Sequence, residues 1–177
     1  MDHSEMVALI ADGIAERDGI WAELGAGRGA FTAALRSLLS PVATIYAIDR
    51  DGAAVRHLAR MAAAPGAAIL LQQADFTQPL RLPPLDGMLM ANALHFVSNQ
   101  REVLAALVAH LRPGGRMLLV EYDLERATSW VPFPVPTTRF AVLATTTGLS
   151  SPHVVGVRRS PSTDIVMYAA VAMKKDG

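Results

Sequence analysis

The chain of 177 residues has no cysteine, which excludes a thiol nucleophile, a cysteine-ligated zinc site and any disulfide. It has no excess of charge either: 16 basic and 16 acidic side chains give a formal net charge of zero. General nucleic-acid and anionic-membrane binders rely on a basic field, so neither partner is expected. Long hydrophobic runs are missing too. The longest, Ile165 to Met173, is about half of what a membrane-spanning helix needs. The start, Met1-Asp2-His3-Ser4-Glu5, is polar and acidic, without the basic leader of a secretory signal, so the expected location is cytoplasmic. His3, His57, His110 and His153 are scattered without ligand spacing, and no metal is expected. Half of the residues (51%) are apolar, and a chain of this size buries about 70% of its unfolded surface, enough for one core without staples.

What is present is an alternation of two kinds of apolar segment. Residues 19–24, 43–48, 67–71, 86–91 and 116–122 are short runs bounded by Gly, Pro or Asp, the pattern of strands buried on both faces of a parallel sheet. Between them, residues 30–39, 53–61 and 99–111 carry apolar side chains at helical spacing, with Ser98 or Asn99 as N-cap and Arg112-Pro113-Gly114-Gly115 as the stop of the last. A helix over Ser4–Glu16, with Val7, Ile10 and Ile14 on one face, leads in. A helix is also expected over Thr138–Thr146. The runs His153–Arg159 and Ile165–Met173, joined by Ser160-Pro161-Ser162-Thr163-Asp164, are too close for a parallel crossover and form a hairpin. The expected fold is α/β and doubly wound, with five parallel strands, a C-terminal antiparallel hairpin and helices on both faces. It is one domain over 1–177: a helix in 1–17, a core in 18–122, a variable segment in 123–150 and the hairpin in 151–177.

The first strand runs into Glu23-Leu24-Gly25-Ala26-Gly27-Arg28-Gly29, after which a helix starts. Glycines let the chain turn sharply and bring backbone N–H groups close to a ligand, at the carboxyl end of the sheet where open α/β folds bind. The spacing is G-x-G-x-G rather than the G-x-G-x-x-G of dinucleotide folds. Glu23 would repel a pyrophosphate but suits a ligand with an ammonium group. Asp49, at the end of the second strand, sits where a carboxylate holds both hydroxyls of a ribose. Asp75, after the third, can accept from an adenine amino group while Phe76 packs on the ring. Singly, such aspartates simply end strands. Three acidic strand ends in register with a Gly-rich loop point to one ligand.

Together with Asn92-Ala93-Leu94-His95-Phe96 and Leu111-Arg112-Pro113-Gly114-Gly115-Arg116, these segments resemble the class I S-adenosylmethionine-dependent methyltransferases. The likeness is greatest to the small-molecule, ubiquinone- and menaquinone-biosynthesis-like branch, and covers roughly residues 15–122. It implies a Rossmann-like fold and S-adenosylmethionine as cofactor. Gly25, Ala26, Gly27 and Gly29 would hold the methionine part, with Glu23 oriented toward its amino group and the backbone carbonyl of Asn92 facing that end. Asp49 would take the ribose, and Asp75 with Phe76 the adenine. Arg50 departs from the family's usual apolar residue; its guanidinium plane can stack on the ring instead.

Methyl transfer to a hydroxyl needs a base, and His95, after the fourth strand, is the candidate; otherwise it packs at the start of a connection. Tyr122 and Asp123, after the fifth strand, border the same crevice. Asn92-Ala93-Leu94-His95 is unlike the Asn/Asp-Pro-Pro-Tyr/Phe motif of enzymes that methylate exocyclic amines, so a small organic acceptor is expected. Trp130, Phe133 and the prolines at 132, 134 and 136 form either a lid over the substrate or a contact between two copies of the chain. The alternative function is a non-catalytic cofactor-binding or partner subunit of the same fold.

Overall fold

The computed structural model describes residues 1–159 and 165–176. Seven strands form one sheet in the order β3-β2-β1-β4-β5-β7-β6. These are β1 (Ile20–Leu24), β2 (Thr44–Asp49), β3 (Ala68–Gln73), β4 (Leu85–Ala91), β5 (Leu111–Tyr122), β6 (His153–Arg159) and β7 (Val166–Met173). The first five are parallel, and β7 runs antiparallel to both β5 and β6. This is the expected doubly wound arrangement with its terminal hairpin. The joining residues 160–164 lie outside the described residues.

The order reverses between β1 and β4, so the connections leaving these two strands part to opposite sides and open a crevice at their carboxyl ends. Alternation along the strands feeds two cores. Ala22, Leu24, Met88, Met90, Met117 and Leu119 face the apolar stripes of α4 (Gln100–Val108) and α5 (Thr137–Thr146). Trp21, Ile45, Ala47, Leu89, Leu118 and Val120 face α1 (His3–Ile10), α2 (Ala30–Leu38) and α3 (Gly52–Ala62).

Four local expectations are corrected. The leading helix ends at Ile10 and tightens into a 3₁₀ turn over Ala11–Gly13, which leaves Ile14 off the helix. Gly13 lies against Leu118, whose Cδ1 a Cβ would approach to 2.7 Å, so the chain turns down onto the sheet there. Helix α4 stops at Val108, not Leu111, and Asn99 occupies its N-cap position without a side-chain capping bond. Arg112–Gly115 does not precede β5 but belongs to it. Leu85 pairs with Leu111 while Gly87 pairs with Arg116, so the residues between bulge out, and Gly114 N–H donates to the carbonyl of Lys174 (2.9 Å). Finally, β3 is not buried on both faces: it is an edge strand with Ala68 and Leu70 exposed.

Two short-range devices seat the flanks. Asp2 and Glu5 form a reciprocal capping box on α1, and the Glu5 carboxylate also accepts from Arg158 of β6 (3.0 Å), tying the first helix to the last hairpin. Asp51 caps α3 by accepting from Ala53 N–H (2.8 Å). No helix among the described residues is long and apolar enough to cross a membrane.

Candidate functional site

After β1 the chain passes through Gly25, Gly27 and Gly29, all at positive φ (+74°, +53° and +85°). At Gly25 only glycine fits, because a Cβ would lie 2.7 Å from that of Ala93. At Gly27 a Cβ would meet nothing within 4 Å; here the positive φ alone calls for glycine, and the loop faces open space. The loop is fixed from below by Gly25 and Ala26 N–H donating to the Ile48 carbonyl (2.9 and 3.0 Å). Asp49 completes the fixing. Its Oδ2 accepts from Gly27 N–H (2.7 Å) and its Oδ1 from Asp51 N–H (2.8 Å), so one carboxylate clamps the loop and the turn into α3.

A cavity of about 350 Å³ opens between this loop and the ends of β2, β3 and β4. Gly25, Gly27, Asp49, Arg50, Asp75 and Phe76 line it, with Thr77, Asn92, Ala93, Phe96 and Val97 closing the far side. Thr77 donates to Oδ1 of Asp75 through its hydroxyl (2.7 Å) and its N–H (2.9 Å). Those bonds, hydroxyl first, hold the Asp75 carboxyl below the usual carboxylate range, helped by the nearby Arg50 guanidinium. A second cavity, of about 400 Å³, continues past Gly25, Gly27 and Asn92 and is lined by Glu23, Ala26, Arg28, Phe31, Met1 and Met6.

Glu23 sits at the wall of that second cavity and is 1% exposed. The Thr32 hydroxyl, from the first turn of α2, donates to it. Burial pushes its carboxyl up to about 8, opposed by the Thr32 bond and reinforced by the Asp49 charge. Asn92 is the one non-glycine residue at positive φ (+52°) among the described residues, and its Oδ1 is buried without a partner. Strain and an unsatisfied acceptor at the same crevice residue mark it as part of the site.

The other side of the crevice lies over β4 and β5. His95, in a 3₁₀ turn over Leu94–Phe96, is 2% exposed. Its Nδ1 lies 2.6 Å from Oε2 of Glu121, and its backbone N–H donates to Oε1 of the same carboxylate (3.1 Å). Because a carboxylate only accepts, Nδ1 carries the proton and the lone pair falls on Nε2. The His95 ring lies 4.2 Å from that of Phe96 and 6.1 Å from that of Tyr122, which in turn meets Trp130 edge-on at 4.9 Å. Burial, then the Glu121 charge, raises the Tyr122 hydroxyl above its ordinary value.

The connection carrying Trp130 is fastened at three points. Phe133 N–H donates to the His95 carbonyl (3.0 Å), the Gln100 amide to the Phe133 carbonyl (2.8 Å) and the Tyr168 hydroxyl to the Val135 carbonyl (2.7 Å). Asp123 turns away to α5, where its Oδ1 accepts from Thr137 N–H (2.9 Å).

Every residue named from the sequence for the nucleoside end therefore lines one cavity, and Glu23 and Ala26 line its continuation. Gly29, His95, Tyr122, Asp123 and Trp130 line neither. Glu121, Arg28, Thr32, Thr77 and Phe96 were not anticipated as site residues. The signal for Glu121 was a lone carboxylate inside the apolar run 116–122, which must find a partner when buried.

A methyltransferase-domain family model matches residues 22–117, more than half of the chain. No curated protein matches. Among solved structures, the chain is similar to YcgJ from Bacillus subtilis (12% identity, TM-score 0.77, 99% of this chain and 100% of that one). It is also similar to 1,6-didemethyltoxoflavin-N1-methyltransferase from Burkholderia thailandensis, solved with 1,6-didemethyltoxoflavin and S-adenosylhomocysteine (20%, 0.78, 99% and 80%). Human N-acetylserotonin methyltransferase, in complex with S-adenosylmethionine, matches at 21% identity and TM-score 0.68, over 98% of this chain and 51% of that one. At such identities these likenesses speak for the fold.

Proposed function

The chain belongs to the methyltransferase-domain family, and from that membership we propose that it uses S-adenosylmethionine to methylate a small organic molecule, with His95 as the base. The observation that carries the reading is the convergence of three strand ends on one cavity: the Gly25–Gly29 loop, Asp49 and Asp75. These residues suit an adenosine. Asp49 offers ionic acceptors to two ribose hydroxyls, Asp75 keeps an Oδ2 with no bond to the described residues, and Phe76 and Arg50 offer planes for the base. Glu23 and the Asn92 carbonyl suit an ammonium group at the other end.

S-adenosylmethionine supplies a methyl group already activated on a sulfonium. The protein's part is to bring the acceptor into line and exclude water, and positioning alone can remove about 7–11 kcal/mol of barrier. Glu121 fixes the imidazole so that Nε2 of His95 takes the acceptor's proton, a contribution of about 10²–10⁴-fold. Tyr122 and Trp130 wall the acceptor side, and Asp123 supports it by anchoring α5. The small-molecule branch fits the shortness of the segment above the crevice. Two fold neighbours are named for small acceptors, 1,6-didemethyltoxoflavin and N-acetylserotonin.

Calorimetric titration tests the cofactor. S-adenosylhomocysteine is expected to bind the wild type, and Asp49→Ala to weaken it about tenfold or more, the loss of a charged acceptor. Binding of NAD(H) in its place would reverse the assignment.

A further inference from the structure

At the end of the sheet opposite the crevice, Trp21, Gly87, Arg116 and Met173 are lateral partners across β1, β4, β5 and β7, and so form one row on one face. Two residues further in, that face is packed core, with Leu89, Leu118 and Val171. Gly87 leaves a gap in the row that the indole fills. A Cβ there would come within 2.5 Å of Cδ2 and Cε2, the carbons shared by the two indole rings. Trp21 thus lies across β4 toward Arg116, and both border a cavity of about 330 Å³. Trp21 is 2% exposed, and its Nε1 is buried with no hydrogen-bond partner among the described residues. Arg116 is half-buried and forms no hydrogen bond or ion pair with the described residues. A buried indole N–H ordinarily finds an acceptor, and an arginine on a core-facing row ordinarily finds a carboxylate. Here two groups that can only donate stand unengaged beside one cavity.

We infer that this cavity is a binding site for the carboxylate of a small organic acid, separate from the crevice and independent of the methyl-transfer reading. The Trp21 Nε1–H and the Arg116 guanidinium donate to the carboxylate, while Met173 and Pro113 flank its apolar body. The charges around the cavity set the class. Its charged lining residues are three acids, Glu16, Asp18 and Asp86, and two bases, Arg112 and Arg116. Arg112 is taken by Asp86 (2.6 Å), whose other oxygen accepts from Ile20 N–H (2.7 Å). Asp18 takes the Ser40 hydroxyl. The Arg116 guanidinium is left to attract an anion against three carboxylates, a field that tolerates one negative charge and repels a doubly charged phosphate. A cation would suit the acidic rim but would face the Trp21 N–H and the guanidinium, neither of which can accept. A cavity of this volume is at the small end for ligand sites, which suits a small acid rather than a macromolecule. It shares no lining residue with the two cavities of the crevice.

The experiment follows the two indole N–H signals of the full chain by nitrogen-15 NMR, with Trp130→Phe identifying the one from Trp21. Benzoate is the probe, and benzamide and inorganic phosphate are its comparisons. Benzoate is expected to move the Trp21 signal downfield and saturably, the mark of a new hydrogen bond at Nε1. Benzamide, which lacks the charge, and phosphate, which carries too much, should each need at least about tenfold higher concentration. Arg116→Gln should weaken benzoate about tenfold or more, and Arg116→Lys, which keeps the charge but loses the planar fork, by less. Glu16 is exposed, so Glu16→Gln leaves the fold intact; by removing a repelling carboxylate it should tighten benzoate about two- to threefold. A Trp21 signal unmoved by benzoate at about 20 mM, where a site of even millimolar affinity is nearly filled, overturns the inference. So does phosphate binding more tightly than benzoate, Arg116→Gln binding as the wild type does, or weaker binding in Glu16→Gln. A shift confined to the Gly25–Gly29 amides and the Trp130 indole overturns it too, because it puts benzoate in the crevice.

Discussion

The two halves of the crevice are built by different means. Over β1, β2 and β3 the site is backbone: three glycines at positive φ, a loop hung on the Ile48 carbonyl, and carboxylates that take peptide N–H groups as partners. Over β4 and β5 it is side chain: a buried His–Glu pair, rings in contact, and a connection tied down by Gln100 and Tyr168. A backbone site is specified by short local patterns at successive strand ends, which the parallel sheet brings together. A side-chain site depends on partners tens of residues apart, and so can vary while the fold stays fixed. On the proposed function, the contrast separates the half that would hold a common cofactor from the half that would select an acceptor.

Breaking each half should therefore give a different phenotype. The largest effect is expected from Glu121→Ala, which leaves the Nδ1–H and backbone N–H of His95 buried without an acceptor and should cost about 2–6 kcal/mol in denaturant unfolding, at about 1–3 kcal/mol for each donor. Glu121→Gln keeps the shape and most of the stability but should lower kcat while affinity for S-adenosylhomocysteine stays near wild type. If it weakens cofactor binding instead, the two halves are not separable. In the backbone half, Gly25→Val combines a positive-φ penalty of about 1–2 kcal/mol with crowding of about 1–3 kcal/mol against Ala93, and because the loop must shift to relieve them, cofactor affinity should fall by at least about tenfold. Calorimetry checks it.

A subtler effect follows from Glu23. Its carboxyl is raised from 4.5 to about 8, so between those values the unfolded chain has lost a proton that the folded chain keeps. Stability should fall as pH rises through that window, by on the order of 2 kcal/mol once water entry is allowed for, and level off above it. Glu23→Gln should lack the slope, as melting curves between pH 5 and 9 would reveal. A wild-type curve as flat as the variant's would mean that the carboxyl is already ionised. The smallest effect is expected at Asn92. Asn92→Gly relieves its φ of +52° and keeps the backbone carbonyl proposed to face the ligand, so cofactor affinity should stay within about threefold. A larger loss by calorimetry would assign the contact to the side chain.

The same contrast explains how far the sequence could be read. Gly25–Gly29, Asp49 and Asp75 are legible because each stands at the end of a recognisable strand, although the bonds from Gly27 to Asp49 and from Gly25 to Ile48 join segments more than twenty residues apart. Glu121 is not, since its meaning depends on His95, 26 residues earlier in the chain and reached only through β4–β5 pairing. The aromatic wall was half visible: Trp130 and Phe133 stood out in a proline-rich stretch, but their relation to His95 needed the hydrogen bond that joins the two segments. In the fold, element types and order followed from periodicity, while ends were decided by packing. The first helix stops where Gly13 meets Leu118, and β5 starts early because its first residues find Leu85 and Lys174. The exposure of β3 reflects its place at the rim, which no local pattern encodes.

The three fastenings of residues 131–135 bear on the speed of turnover. A wall already moored to Gln100, Tyr168 and the His95 carbonyl loses little freedom when a guest arrives. Traffic through this mouth is then governed by how long each guest clings to the rings, and thickening the solvent with sucrose should slow it no more than it slows diffusion.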